Sequence, residues 1–294
     1  MSESILSSTA SAAIYQTTID ENIVILNIQH PLFTASISLY GGHVLSWQPV
    51  GHDDVFWLSK TTEFENGKAI RGGIPLCWPW FGPNLDEQGN NGGNHGFART
   101  KRWQLVSHEI TDENVTIVLE LNGENEHILW PSKFKLLQTL VFSKTFSQQL
   151  AITNLSSKTV KFSSALHSYF KVSNPKKVQV PQLVDSVFDD KITEKKQQKD
   201  QIENCLGPID RIYYCSDEQV VIDQGLQRKI TIESNHCQQW VLWNPGQEIA
   251  KNMSDIHAGG EYEFVCLEAA NTDWQSIAAG DKVTLCQKIT VSKL

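Results

Sequence analysis

The sequence has no long hydrophobic run and no dense group of basic residues. No segment approaches the roughly 18 consecutive apolar residues that a membrane-spanning helix needs. Its 33 acidic residues outnumber the 25 basic ones, and the formal net charge is −8. Because nucleic acids and anionic membranes are held by clustered Lys and Arg, we expect neither as a partner. One small phosphate bound by two arginines is still compatible with this charge.

The sequence also shows no secretory signal and no disulfide pattern. Residues 1–15 are rich in Ser and Ala and have neither a basic start nor a long apolar stretch. The six cysteines include no Cys-x-x-Cys pair, and a chain of 294 residues can fold without disulfides. We therefore expect a reduced, cytoplasmic protein.

Several common catalytic motifs are absent as well. There is no Gly-x-x-x-x-Gly-Lys-Ser/Thr phosphate loop, no Gly-x-Gly-x-x-Gly dinucleotide motif and no Gly-x-Ser-x-Gly nucleophile elbow. The nine histidines form no His-Glu-x-x-His motif and no close pair on one strand face. An acid–base site without metal or cofactor is the simplest catalytic expectation.

Most of the sequence is typical of short strands separated by Gly, Asn, Asp and Pro turns. In residues 115–119 and 229–232 the apolar side chains fall largely on one face. Residues 193–203 are charged or Gln-rich without an apolar stripe, which predicts a solvated connector and not a helix. We predict an all-β fold of antiparallel sheets, with residues 1–13 as a frayed tail and residues 14–294 as a single domain. The predicted strands cover residues 23–28, 33–39, 104–110, 115–121, 134–142, 149–154, 160–168, 219–222, 229–234, 239–243, 262–268 and 282–291.

Residues 70–99 combine turn-forming residues with large aromatic ones. The segment is rich in Gly and Pro, yet it contains Trp78, Trp80, Phe81 and Phe97. Aromatic side chains of this size are costly to leave in water, so a mobile linker would not contain four of them. We predict a binding loop that packs against a sheet.

Two arginines in this loop are candidates for binding an anion. Arg71 and Arg99 each lie near glycines, which let the backbone approach a ligand closely. The guanidinium group offers a planar fork that matches two phosphate oxygens. The alternative is that both arginines pair with surface acids. Asp210, followed by Arg211, is by itself compatible with a salt bridge at the start of a strand.

Two further residues have side chains suited to proton transfer. If residues 160–168 form a strand, His167 shares a face with Ala165 and Tyr169. It could be a structural histidine, or a proton donor whose charge changes near neutral pH. Glu268 follows four apolar residues, and it is either exposed at a strand end or buried as a candidate general base.

Taken in order, these segments resemble one family of enzymes. Arg71–Pro75, Trp78–Gly82 and His95–Arg99 are similar to motifs of the glucose-6-phosphate 1-epimerases, the hexose-phosphate branch of the aldose 1-epimerase (galactose mutarotase-like) family. Later segments at residues 166–170, 209–213, 241–245 and 267–271 agree with this resemblance. Each motif is weak alone, but the ordered set spans about residues 33 to 290.

The resemblance implies a β-supersandwich that interconverts the α and β anomers of a hexose 6-phosphate. By analogy, Glu268 is the general base and His167 the general acid, on opposite sides of the sugar C1. His95 and Asp210 would hold sugar hydroxyls. No cofactor or metal is implied, and we expect a monomer.

The resemblance also assigns the remaining binding residues. Arg71 and Arg99 would bind the substrate through its phosphate. Asn94 stands where some relatives carry Gln, so it keeps an amide group with a shorter reach. Three alternatives stay open: an epimerase for free aldoses, a sugar-phosphate-binding module without catalysis, and, ranked last, a glycoside hydrolase or lyase. Glycoside hydrolysis usually needs two carboxylates that flank the scissile bond.

Overall fold

The computed structural model describes residues 2–19, 23–85, 89, 91–215 and 218–294, and most of their regular structure is β-strand. The strands in chain order are β1 (Ser2–Ser8), β2 (Ala13–Thr18), β3 (Val24–His30), β4 (Phe33–Ser38), β5 (His43–Pro49), β6 (Leu76–Cys77), β7 (Pro83–Leu85), β8 (Asn91–Asn94), β9 (Gln104–Ile110), β10 (Val115–Gly123), β11 (Phe134–Phe142), β12 (Thr145–Asn154), β13 (Val160–Leu166), β14 (Tyr169–Lys171), β15 (Val178–Gln179), β16 (Phe188–Asp190), β17 (Ile209–Tyr213), β18 (Gln219–Asp223), β19 (Arg228–Asn235), β20 (Gln239–Asn244), β21 (Phe264–Ile277) and β22 (Lys282–Lys293). Helical structure in these ranges is limited to α1 (Gly246–Ala250) and 3₁₀ turns at Ala98–Thr100, Pro175–Lys177, Pro181–Leu183 and Gly260–Tyr262. No described helix is long and apolar enough to cross a membrane.

Two large antiparallel sheets make up most of the fold. One has eight strands in the order β15-β18-β19-β22-β12-β11-β10-β9. The other has seven, in the order β16-β17-β20-β21-β13-β6, with β14 also paired to β21. Strands β1 to β5 form a third sheet, and β7 and β8 form a small hairpin. The pairings between these strands are antiparallel. The predicted all-β, antiparallel class is confirmed.

The main hydrophobic core includes side chains from both large sheets. Strand β11 alternates strictly between buried and partly exposed residues, as a strand with one core-facing side should. Residues 264–271 of strand β21 are instead buried on both faces. Val265 and Leu267 join the main core, whereas Cys266 and Glu268 point to the opposite face of the seven-stranded sheet. The candidate site lies on that opposite face.

Three sequence expectations about local structure can be compared with these elements. Residues 1–13 are not simply a frayed tail, because Ser2–Ser8 pairs antiparallel with Ala13–Thr18. Backbone hydrogen bonds hold this edge strand in place. Its sequence is mostly polar, so no hydrophobic pattern indicated a strand there. The predicted strand 160–168 is interrupted, since β13 ends at Leu166. Residues 193–203 contain no helix and are mostly exposed, as predicted. That residues 14–294 form one domain stays a prediction.

Candidate active site

All seven residues singled out in the sequence line one open cavity of about 290 Å³. They come from the 70–99 loop, from the strands of the seven-stranded sheet and from the breaks between them. The cavity is lined by the predicted Arg71, Asn94, His95, Arg99, His167, Asp210 and Glu268, and also by Phe81, Gly82, Pro83, Lys191, Val241, Trp243 and Met253. The structure therefore brings together residues that are far apart in the sequence. Their individual roles stay predictions.

The break between β13 and β14 places His167 beside Glu268. Leu166 at the end of β13 is opposite Ala269, and Tyr169 at the start of β14 is opposite Cys266. The two residues in the break thus face the two residues of β21 that include Glu268. His167 Nε2 lies 3.3 Å from Glu268 Oε1, and both side chains are buried. The acid and base candidates are therefore in direct contact.

Burial favours the neutral forms of both side chains. It lowers the pKa of His167 well below its usual value, and the positive charges of Arg99 and Arg71 nearby act in the same direction. Burial raises the pKa of Glu268 well above its usual value, and the nearby Asp210 carboxylate adds to that rise. A neutral imidazole with a carboxylic acid contains as many protons as an imidazolium with a carboxylate. The pair can therefore pass one proton between its members without exchange with solvent.

Each member of the pair also has a free polar atom. Within the described part of the chain, neither His167 Nδ1 nor Glu268 Oε2 has a hydrogen-bond partner. Buried polar atoms are normally paired, and leaving one unpaired costs about 1–3 kcal/mol. Unpaired atoms in a cavity wall are therefore candidates for ligand contacts.

His95 is held in one tautomer by its own loop. Its backbone N–H donates to the Gly82 carbonyl at 2.8 Å, and the Gly82 N–H donates to His95 Nδ1 at 3.2 Å. In the neutral ring the proton must then be on Nε2, which makes that atom a donor. Burial, together with Arg99, Arg71 and Lys191, lowers the pKa of His95 to about 3. His95 is thus a neutral hydrogen-bond donor at physiological pH.

Arg71 already has partners within the protein. Its Nε and Nη2 both lie 2.9 Å from Asp255 Oδ2, and its Nη1 donates to the Tyr169 hydroxyl at 2.7 Å. The following glycines allow this position, because a Cβ on Gly72 would lie 2.3 Å from the Trp57 carbonyl oxygen. The alternative reading of an arginine paired with an acid therefore holds for Arg71.

Arg99 is less engaged than Arg71. Its Nη2 donates to the Asn94 carbonyl at 2.9 Å. Among the residues that the structure describes, no carboxylate forms an ion pair with it, and burial lowers its pKa. The backbone of Asn94 thus orients Arg99, while the exposed Asn94 side chain lies at the cavity rim. Arg99 is the better candidate for an anion that comes from outside.

Asp210 faces the cavity and does not form the salt bridge considered from the sequence. That role belongs to Arg211, whose Nη2 lies 2.9 Å from Asp200 Oδ2. Burial raises the pKa of Asp210 to about 6, while Lys191 opposes this rise. The Lys191 backbone N–H donates to the Asp210 carbonyl at 2.8 Å, which holds the lysine at the cavity edge.

The sequence pattern did not single out several residues of this site. Lys191 lies between the end of β16 and a charged connector. Trp243 lines the cavity, and its ring centroid lies 6.2 Å from that of His167. Asp255, the partner of Arg71, lies in an irregular segment after α1. A charged residue at the end of a strand is the only signal that could have pointed to Lys191.

The pair also lies near a cysteine. Ligand atoms of His167, Cys266 and Glu268 lie within 4.8 Å of one another, and the three residues form the one such group among the described residues. Cys266 is buried and is not part of the cavity wall. All six cysteines of the chain are free. Because β21 and the break between β13 and β14 supply this group, no motif in the sequence indicated it.

Comparison with known proteins agrees with this fold. The chain matches the family described as Aldose 1-epimerase over residues 25–290. A protein of Escherichia coli (strain K12), provisionally named a glucose-6-phosphate 1-epimerase, is 38% identical over 278 residues, which cover 93% of this chain and 92% of the relative. A relative with the same provisional name from Salmonella typhimurium is 37% identical over 281 residues, with the same coverage of 93% and 92%. A solved structure from Salmonella typhimurium, provisionally described as a mutarotase, has a TM-score of 0.87 and 33% identity and covers 99% of this chain and 97% of its own. The chain belongs to the aldose 1-epimerase family.

Proposed function

We propose that this protein interconverts the α and β anomers of a hexose 6-phosphate, with D-glucose 6-phosphate as the substrate. The observation that carries the proposal is the buried contact of 3.3 Å between His167 and Glu268, in a cavity that also contains two arginines. The names of the Escherichia coli and Salmonella typhimurium relatives support the choice of sugar. That the protein acts as a monomer in the cytoplasm, without cofactor or metal, remains a prediction.

Adjacent acid and base groups suit this reaction because O1 and O5 of the sugar are bound to the same carbon. In the charged form of the pair, the Glu268 carboxylate takes the proton from O1 while the His167 imidazolium gives one to O5. The C1–O5 bond breaks and the open aldehyde forms. Rotation about C1–C2 and reclosure with the roles reversed produce the other anomer.

Burial helps the forward proton transfers. Ring opening converts the charged pair into the neutral pair, which is the form that burial favours in both residues. A raised pKa makes Glu268 a stronger base, and a lowered pKa makes His167 a stronger acid. Each positioned acid or base typically contributes ~10²–10⁴-fold to the rate.

The remaining cavity residues divide between the sugar and the phosphate. His95 Nε2 and the Asp210 carboxyl would hold sugar hydroxyls, and the Asn94 amide would contact the substrate from the rim. Arg99 and Arg71 would bind the phosphate. Arg99 would contribute more, because Arg71 already forms an ion pair with Asp255. Holding the open chain in place adds an orientation effect to the catalysis.

The proposal is tested by NMR exchange spectroscopy of the anomers. Purified protein should accelerate anomer exchange of glucose 6-phosphate far more than that of glucose at equal concentration. Equal acceleration of both sugars would favour an epimerase for free aldoses. Binding of glucose 6-phosphate without faster exchange would favour a binding module. If the protein neither binds glucose 6-phosphate nor accelerates its anomer exchange, the hexose phosphate is ruled out as the substrate.

A further inference from the structure

Two side chains in the cavity wall and one just behind it together offer one nitrogen, one oxygen and one sulfur ligand. Cys266 and Glu268 are two residues apart on β21, so they point to the same face of the sheet. His167 reaches the same point from the break opposite them. The ligand atoms lie within 4.8 Å of one another, and all three residues are buried. We call this set the His167–Cys266–Glu268 triad.

We propose that the triad binds Zn²⁺ or a similar thiol-preferring divalent cation, and that the bound cation blocks anomer exchange. Zinc is bound in proteins by thiolate, imidazole and carboxylate groups, and sites with three protein ligands leave a fourth position open. His167 and Glu268 line the cavity, so the fourth position would face it. The Glu268 oxygen without a partner is a second sign that this buried site lacks a ligand.

The spacing of the triad is close to that of a zinc site. Zinc–ligand distances of about 2.0–2.3 Å place neighbouring tetrahedral ligands roughly 3.3–3.7 Å apart. The separation of 3.3 Å between His167 Nε2 and Glu268 Oε1 already meets this requirement. The three ligand atoms lie within 4.8 Å of one another, so a contraction of at most roughly 1 Å completes the zinc geometry.

Charge explains why the cysteine is needed. Binding displaces one proton from the Cys266 thiol and one from the Glu268 carboxyl, and both protons leave to solvent. The resulting thiolate and carboxylate balance the two charges of the cation, so the buried site is neutral overall. Arg71 and Arg99 in the same cavity oppose any excess positive charge. Without the thiolate, the site would carry a net positive charge beside two arginines.

Bound zinc would inhibit because it occupies both members of the acid–base pair. His167 Nε2 and a Glu268 oxygen would become metal ligands and could no longer transfer protons. This inhibition rests on the proposed function, whereas the binding of the cation does not. The two are therefore measured separately.

Binding is measured with Co²⁺, which gives a thiolate-to-metal absorption band when a cysteine is a ligand. The full-length wild-type protein should show this band with one Co²⁺ per chain. Cys266→Ala and the isosteric Cys266→Ser should both lose it. Cys77→Ala is the matched control, since Cys77 is also buried on the seven-stranded sheet but outside the triad. A band that persists in Cys266→Ser, or that is absent from the wild type, would overturn the site.

Inhibition is measured as the Zn²⁺ dependence of glucose 6-phosphate anomer exchange in a buffer that does not chelate metals. The Cys266 variants should keep the basal rate and need at least about tenfold more Zn²⁺ for half inhibition, because even the loss of an outer partner costs 10–100-fold in metal affinity. Cys77→Ala should respond as the wild type does. Equal zinc sensitivity in the wild type and Cys266→Ser would contradict the proposed inhibition. If Co²⁺ binds as expected but the wild type shows no exchange activity, only the proposed function has failed.

Discussion

His167 Nε2 and Glu268 Oε1 lie 3.3 Å apart because the chain leaves β13 one residue before the histidine and re-enters the same sheet two residues after it. The break frees the histidine side chain from regular strand geometry while β21 runs past it without interruption. One proton can therefore be shared by two groups that are far apart in the sequence. This sharing predicts that the two residues act as a unit.

Substitution of either member should remove most of the activity. We expect Glu268→Gln and His167→Ala each to slow anomer exchange by ~10²–10⁴-fold, the usual contribution of a positioned acid or base. The double variant should lose little more than the worse single variant, because residues that act as a unit are strongly non-additive. NMR exchange rates on folded variants give the comparison, with Glu233→Gln and His108→Ala as controls outside the cavity. Wild-type rates in either single variant would contradict the assignment.

Neutralising Asp210 should change the pH dependence of the rate. Its carboxylate raises the pKa of Glu268, so Asp210→Asn should lower that pKa. Glu268 is the member of the pair with the raised pKa, so loss of its proton from the neutral pair sets the basic limb of the kcat/KM profile, and that limb should move to lower pH. A profile that extends well above neutral pH gives the result, and an unchanged or upward-shifted basic limb would contradict the coupling.

The same substitution should affect stability in a pH-dependent way. The pKa of Asp210 is raised to about 6 in the folded protein, above the value of about 3.9 in an unfolded chain. The native state therefore binds the proton more tightly, and the Asp210 contribution to stability falls as the pH rises from about 4 to about 6. Asp210→Asn should raise Tm at pH 7 and change it little at pH 4. A larger rise at pH 4 would contradict this sign.

Local pattern was enough to predict some elements but not the details of the site. The strands Gln104–Ile110 and Phe134–Phe142 coincide with the predicted ranges 104–110 and 134–142. In Phe134–Phe142, residues alternate between the core and a partly exposed face. The break at His167 depends on how β13 and β14 both pair with β21. A local sequence pattern does not indicate which strands pair. For the same reason the approach of Cys266 to His167 could not be foreseen.

The site residues were predictable where a motif carried them. Arg71, His95 and Arg99 belong to ordered motifs, and all three line the cavity as expected. Lys191 was missed because a backbone hydrogen bond to Asp210, which no local pattern indicates, holds it at the cavity edge. The different environments of the two arginines depend on Asp255, which lies far along the chain.

These environments predict different results for the two arginines. Arg99→Gln should raise the KM for glucose 6-phosphate at least about tenfold, since hydrogen bonds to charged groups contribute about 1.5–3 kcal/mol, with little change for glucose. Arg71→Gln should raise this KM less than Arg99→Gln does and should also lower Tm, because Asp255 and Tyr169 lose their partner. Kinetics with both sugars and thermal melts test both variants. If only Arg99→Gln lowered Tm, the assignment of Arg71 as the structurally paired arginine would be wrong.

Lys191 should contribute to phosphate binding as an exposed charge. Lys191→Met is expected to raise the KM for glucose 6-phosphate about 1.4- to fivefold, which corresponds to the 0.2–1 kcal/mol typical of exposed charge pairs. The effect should shrink as salt is added, because salt screens exposed charges. Lys195→Met is the matched control, since Lys195 lines a neighbouring pocket instead of this cavity. An equal change in both variants would show that only the overall charge matters.

The backbone at Gly96 should be essential for the loop that carries His95 and Arg99. A Cβ at Gly96 would lie 2.0 Å from the Trp78 carbonyl oxygen, which accepts the backbone N–H of Phe97 at 3.0 Å. Gly96→Ala must therefore break this contact as well as adopt a left-handed φ of 65°. Gly93 has a similar φ of 74° but nothing within 4 Å of its Cβ position, so Gly93→Ala carries only the left-handed cost of about 1–2 kcal/mol. Chemical denaturation should show a clearly larger loss of stability in Gly96→Ala. Equal losses in the two variants would mean that the approach of Gly96 to Trp78 does not hold the loop in place.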